Sequence, residues 1–223
     1  MSQLTELAPG TLIEQLPLFP LPDIVFFPNT LLPLQVFEPR YLTMLTDVLA
    51  GDGLIGIVQL APGWEASYYG APEVHQVLGV GRVVHHQTSP DERLNILLKG
   101  LARATIDEEI RTQLAYRVVR ARVVAPSAGG GTAAARQVAT VRHLFAALLS
   151  NVDGLDPAQA EVLFSPETEP AVVVDAIAAA LPLPSREKQS LLEEPSLAAR
   201  AEHLAELLLD LSVDPELGAN TQH

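Results

Sequence analysis

A run of small residues, Ala125-Pro126-Ser127-Ala128-Gly129-Gly130-Gly131-Thr132, divides this chain into two stretches that no single periodic architecture satisfies. Three consecutive glycines resist ordering, because each has more backbone freedom to lose than any other residue. Before the run, prolines and glycines recur every few residues and the apolar stretches are short. After it, Ala and Leu dominate, and apolar residues fall three and four apart. Charge divides at the same place: residues 1–123 carry 13 acidic and 9 basic side chains, residues 124–223 carry 14 and 5. The expected organisation is a β-rich part over 1–124, a linker over 125–132 and an α-helical part over 133–223.

In the first part, short apolar runs at 16–21, 24–28 and 31–37 are bounded by prolines. Proline has no N–H for a ladder, so these runs are expected at sheet edges or strand ends. Pro39 then suits a first helical turn, and Tyr41, Met44, Leu45, Val48 and Leu49 follow at the spacing of a buried stripe. Further strands are expected at 54–60, 74–84, 94–99, 102–106 and 116–124. Many short strands separated by turns imply an antiparallel barrel or sandwich. In the second part, helices are expected at 133–149, 170–181, 185–192 (with Ser185 as N-cap) and 196–211.

Composition removes several function classes. The formal charge of −13 argues against a generic phosphate-backbone binder. The absence of cysteine excludes disulfides, thiolate nucleophiles and Cys-ligated zinc or iron–sulfur sites. No apolar run approaches the roughly 20 residues of a membrane span. Residues 1–10 lack the basic and apolar regions of a secretory leader, so a cytoplasmic protein is expected.

Certain residues resemble those of a known family. Leu16-Pro17-Leu18-Phe19-Pro20-Leu21, Phe27-Pro28, and Leu32-Pro33-Leu34-Gln35-Val36-Phe37-Glu38-Pro39-Arg40-Tyr41 resemble the opening of the Lon protease N-terminal domain. Gly79-Val80-Gly81-Arg82-Val83 and Lys99-Gly100-Leu101-Ala102-Arg103-Ala104 are similar to its later strand motifs. Asp175-Ala176-Ile177-Ala178, Lys188-Gln189-Ser190-Leu191-Leu192-Glu193 and Arg200 are similar to its helical part. The resemblance implies an α+β fold: an N-terminal PUA-like (pseudouridine-synthase-and-archaeosine-transglycosylase-like) antiparallel β-barrel followed by an α-helical bundle. It also implies substrate capture, with ATP hydrolysis and proteolysis carried by other domains of the full-length proteases. No G-x-x-x-x-G-K-[ST] phosphate loop is present, since the two lysines, Lys99 and Lys188, follow no glycine. No Ser–Lys protease pairing and no G-x-S-x-G elbow is recognisable either.

The candidate contact residues follow. Phe37, Glu38, Arg40 and Tyr41 offer an aromatic pair flanking opposite charges. The alternative is a structural corner in which Phe37 and Tyr41 are buried and the two charges pin the loop. Arg103 is either a barrel anchor or a ligand contact. Trp64, Tyr68 and Tyr69 fall between Pro62-Gly63 and Ala71-Pro72 and read as loop aromatics, either anchors for a partner or an ordinary loop packed back onto the barrel. His85 and His86, adjacent on a strand, point to opposite faces and make no expected metal site. Glu108-Glu109 and Glu193-Glu194 read as solvated carboxylates. No catalytic residue, metal or cofactor is expected.

The expected function is a stand-alone, non-catalytic module that binds unfolded or exposed protein segments, or one specific protein partner. Capture is expected in a groove between barrel and helices or by strand addition at an open edge. Neither nucleic acid nor membrane is an expected partner. The competing readings are a small enzyme with an unrecognised pocket and an RNA-binding PUA-like protein; the latter rests on fold analogy and is opposed by the acidity.

Overall fold

Leu12–Leu21, the first strand (β1), carries Pro17 and Pro20 inside a paired strand, because its two sides are used in turn. Its first half pairs with the last strand, its second half with the third, and only Leu18 pairs with both. Each half thus keeps one unpaired side, the setting in which a strand tolerates proline. The structure is a computed structural model and describes residues 7–67, 70–90, 93–125, 127, 131–149, 164–165 and 167–213. The chain forms two compact units, Met1–Ala125 and Pro126–His223.

In the first unit β1 is followed by β2 (Leu31–Val36), helix α1 (Pro39–Ala50), β3 (Leu54–Gln59), a 3-10 turn (Trp64–Ser67), β4 (Val77–Thr88), β5 (Leu94–Ile110) and β6 (Arg117–Val123). The order is β2-β5-β4-β3-β1-β6, and β6 pairs again with β5. Five strands therefore make a closed circuit of pairings, with β2 attached outside it. The length of β5 permits this: one side takes β4, while the other takes β2 along Leu94–Lys99 and then β6 from Ala104 to Ile110.

The expectation of a wholly antiparallel sheet fails at one pair. β1 and β3 are parallel, because β2 and α1 lie between them in sequence and form the crossover that parallel neighbours require. β3 is buried at every position. Ile55 and Ile57 join a cluster with Tyr41, Met44, Leu45 and Val48 of α1, while Leu54 and Val58 join Leu16, Leu78, Val80 and Val119 in a second. A strand covered on both faces reads as a continuous apolar run.

Two expected strands take other forms. Residues 24–27 carry no ladder; they cross the sheet as irregular chain, with Phe26 and Phe27 buried. The crossing needs glycine beneath it. A Cβ at Gly79 would overlap the Phe26 carbonyl, one at Gly81 the Phe26 ring, and one at Gly100 the Phe27 carbonyl. Gly100 was expected to separate two strands, whereas it lies inside one strand of 17 residues.

The second unit contains α2 (Gly131–Leu149), α3 (Pro170–Ala180), α4 (Ser185–Glu193) and α5 (Leu197–Val213). α2 starts at Gly131, inside the segment expected to be linker. α2 buries Ala134, Val138, Val141 and Phe145, and α5 buries Ala201, Leu204, Ala205 and Leu208. Pro184, not Ser185, occupies the cap position of α4, with Ser185 its first helical residue. Lys188 reaches back instead: its ammonium donates to the Ala179 carbonyl at 2.9 Å, satisfying the end of α3. That burial lowers its pKa. Between α3 and α5, Arg200 Nε stands 3.3 Å from Asp175 Oδ1, both side chains being almost fully buried. Arg200 also donates to the Glu194 carbonyl at 2.6 Å.

Candidate functional site

The strand-to-helix corner at the end of β2 splits the expected cluster. Phe37 is 63% exposed and Tyr41 is 6% exposed, so the pair is neither a jointly displayed grip nor a jointly buried corner. Tyr41 packs on Phe19, ring centroids 4.2 Å apart, because it opens the buried stripe of α1. Glu38 precedes the helix, and its carbonyl accepts from Tyr41 and Leu42. Its carboxylate accepts from Arg40 Nε at 3.0 Å, and the Arg40 guanidinium lies 4.6 Å from the centre of the Tyr41 ring. Arg40 is thus held in place by both neighbours.

Arg103 sits on β5, half-buried, 5.9 Å from the Phe27 ring. Trp64 begins the 3-10 turn and is half-buried, while Tyr68 and Tyr69 lie outside the described residues. His85 and His86 are both exposed near the end of β4, beside an irregularity in its pairing with β5.

A cavity of about 70 Å³ adjoins the corner, lined in part by Pro20, Arg40, Tyr41, Tyr116 and Arg117. It is much smaller than the roughly 300 Å³ at which small-molecule pockets begin. Tyr116 donates to Asp47 at 2.7 Å. Burial, followed by that carboxylate, raises the phenol to about 12. Tyr116 is therefore a neutral donor at physiological pH. Arg117 is held by both Glu109 oxygens, at 2.9 and 2.6 Å, and by the Pro72 carbonyl at 2.8 Å. Arg120 joins Glu14 and Glu108, and Arg122 joins Asp107, so the arginines of β6 are bound in an ion-pair ladder.

The outer face of β2 is what residue types alone did not single out. Leu32 and Leu34 pack against the core and Val36 is within it, which turns Leu31, Pro33 and Gln35 outward, with Phe37 next in the alternation. All four are exposed. The signal was the period-two pattern of 31–37, legible only once β2 is known to be an edge. On this face Leu31 stands in register with Lys99, and Lys99 with Arg82. Gln35 accepts from Arg93, which lies 5.9 Å from the Phe37 ring centre.

Two solved structures share this fold. The N-terminal domain of the Mycobacterium avium complex Lon protease aligns with a TM-score of 0.68 at 16% identity, covering 90% of this chain and 99% of that one. A Lon N-terminal domain protein from Xanthomonas campestris aligns at 0.57 and 22% identity, covering 87% and 98%. At such identities the likeness shows the fold. Family membership comes from the sequence: residues 15–210 match the model of the ATP-dependent protease La (LON) substrate-binding domain, and the chain belongs to that family. Relatives include Lon protease 2 of Myxococcus xanthus, 28% identical over 211 residues, and Lon protease 4 of Sorangium cellulosum, 30% identical over 202. The chain spans about a quarter of the length of these relatives, 25% and 24%.

Proposed function

We propose that this chain is a non-catalytic recognition module that binds exposed segments of other polypeptides. The observation that carries the reading is the match of residues 15–210 to a substrate-binding domain. The geometry supports it. The cavity beside Arg40 is too small for an ordinary metabolite, and the two larger recesses beside Arg117, about 440 and 640 Å³, are open and lined by the paired Arg117 and Glu109. The closed five-strand circuit corresponds in this reading to the PUA-like barrel that the resemblance implies, and the helical unit to the bundle. Phe37 is a contact residue, Glu38, Arg40 and Tyr41 shape the surface around it, and Arg103 anchors β5 near Phe27. The module works in the cytoplasm and contacts neither nucleic acid nor membrane.

The test is binding of a reduced, carboxymethylated model protein against its native folded form, followed by fluorescence anisotropy. Saturable binding of the unfolded form alone is expected. No binding at tens of micromolar overturns the reading.

A further inference from the structure

Among the described residues β2 pairs only with β5, so one side of it is an open edge. Which groups face outward follows from one hydrogen bond. Gly100 donates to the Thr30 carbonyl, so that carbonyl points toward β5. In a trans peptide the N–H opposes the C=O, and the Leu31 N–H therefore points away. Alternation along the strand then presents the N–H and C=O of Leu31 and Gln35, and the C=O of Pro33, to the open side. These groups alternate as another strand's donors and acceptors do.

The side chains beside this edge indicate the partner. Leu31 and Phe37 are 61% and 63% exposed. Arg82 and Lys99 face each other across β4 and β5, with no hydrogen bond or ion pair among the described residues. Like charges opposite one another in a sheet are unfavourable without a counterion. In a chain of net charge −13, this face has, among the described residues, no acid like that paired with each arginine of β6. A strand added beside β2 would run roughly 10 Å from β5, two strand spacings, a gap that a lysine and a facing glutamate side chain can close together. A second copy of β2 is a poorer occupant than a foreign segment. Each copy contributes one missing donor at Pro33, so a self-pair loses two hydrogen bonds where a foreign strand loses one.

We infer that the open edge of β2 takes an extended segment of a partner polypeptide as an added strand, and that it favours segments carrying both apolar residues and carboxylates. This rests on the segment-binding reading above and names its surface and partner chemistry. The probe is a labelled decapeptide of alternating Val and Glu, beside the same peptide with Lys for Glu and a third with alternate backbone amides N-methylated. The full chain is expected to bind the Glu peptide at least tenfold more tightly than the other two. Leu31→Pro and Gln35→Pro remove edge donors without touching the β5 ladder and should each weaken binding about tenfold, while Leu31→Val should change it less than twofold. On wild-type protein, the Leu31 and Gln35 amides should gain hydrogen-exchange protection on saturation, a readout independent of whether the proline variants fold. Equal binding of the N-methylated peptide, unprotected amides, or peptide-induced dimers of the chain overturn the proposal. If the unfolded model protein still binds while the Glu peptide does not, only this inference fails; if neither binds, the reading beneath it fails as well.

Discussion

Tyr116, the residue before β6, carries a hydroxyl that ties that strand's start to α1 through Asp47, and its acidity makes the link testable. Its pKa in the folded chain is about 12, against about 10 when unfolded. A raised folded value favours the neutral phenol, so the contribution is complete below pH 10 and is lost as pH rises from 10 to 12. Tyr116→Phe should cost about 0.5–1.5 kcal/mol at pH 7, the net worth of one hydrogen bond, because Asp47 is exposed and water replaces the lost donor. It should also flatten the fall in stability between pH 10 and 12, measured by urea unfolding across that range; equal slopes would remove the link. Other single residues were unequally legible. Tyr41 could be placed in the core from the spacing of α1. The exposure of Phe37 could not, because it depends on β2 being an edge, and nothing local encodes which strand lies outermost. The Gly79, Gly81 and Gly100 positions were visible as motifs, but their reason, the crossing of Phe26 and Phe27, is a contact distant in sequence.

β2 is short and interrupted by one proline, two properties that limit unwanted association at an edge whose outer face is exposed. Pro33→Thr restores the missing donor in every copy, two hydrogen bonds per pair. Sedimentation velocity should then show stronger concentration-dependent dimerisation than the wild-type chain; an unchanged association at the same concentrations would show that Pro33 does not guard this edge. Elements with strong local periodicity were predicted closely, α1 and α5 above all. Residues 24–27 failed because apolar composition does not separate a strand from a buried crossing. β5 failed because Gly100 reads as a break when only local preference is weighed. Lys188 shows the same limit: it sits where a capping box would place an acid, and instead serves the end of the preceding helix.

At the scale of the molecule there are two cores with separate signatures. The sole tryptophan, Trp64, reports on the first unit, and far-ultraviolet dichroism reports chiefly on the helices of the second. The Asp175–Arg200 pair lies wholly within the second. Asp175→Asn removes the carboxylate that faces the buried Arg200 guanidinium, at a cost of about 3–5 kcal/mol. The dichroism transition in urea should move to lower concentration while the Trp64 transition stays within error; a joint shift would mean that the units unfold as one. The division of the chain was legible because composition changes abruptly at the glycine run. The closed circuit was not, since the pairing of β6 with both β1 and β5 joins strands by partners that no local pattern specifies.

That circuit sets an order of events during synthesis. Leu12 pairs with Arg122, so the first strand made waits for nearly the last residues of its unit before its outer side is satisfied. Loop closure over such a separation is slow relative to hairpin formation. At a ribosomal pace of about 5–20 residues per second, β1 spends several seconds without β6. Over that interval Leu16 and Leu18 lack Val119 and Ala121, their later neighbours in the core. A module that binds the exposed segments of other chains is itself, while being made, a chain with such a segment.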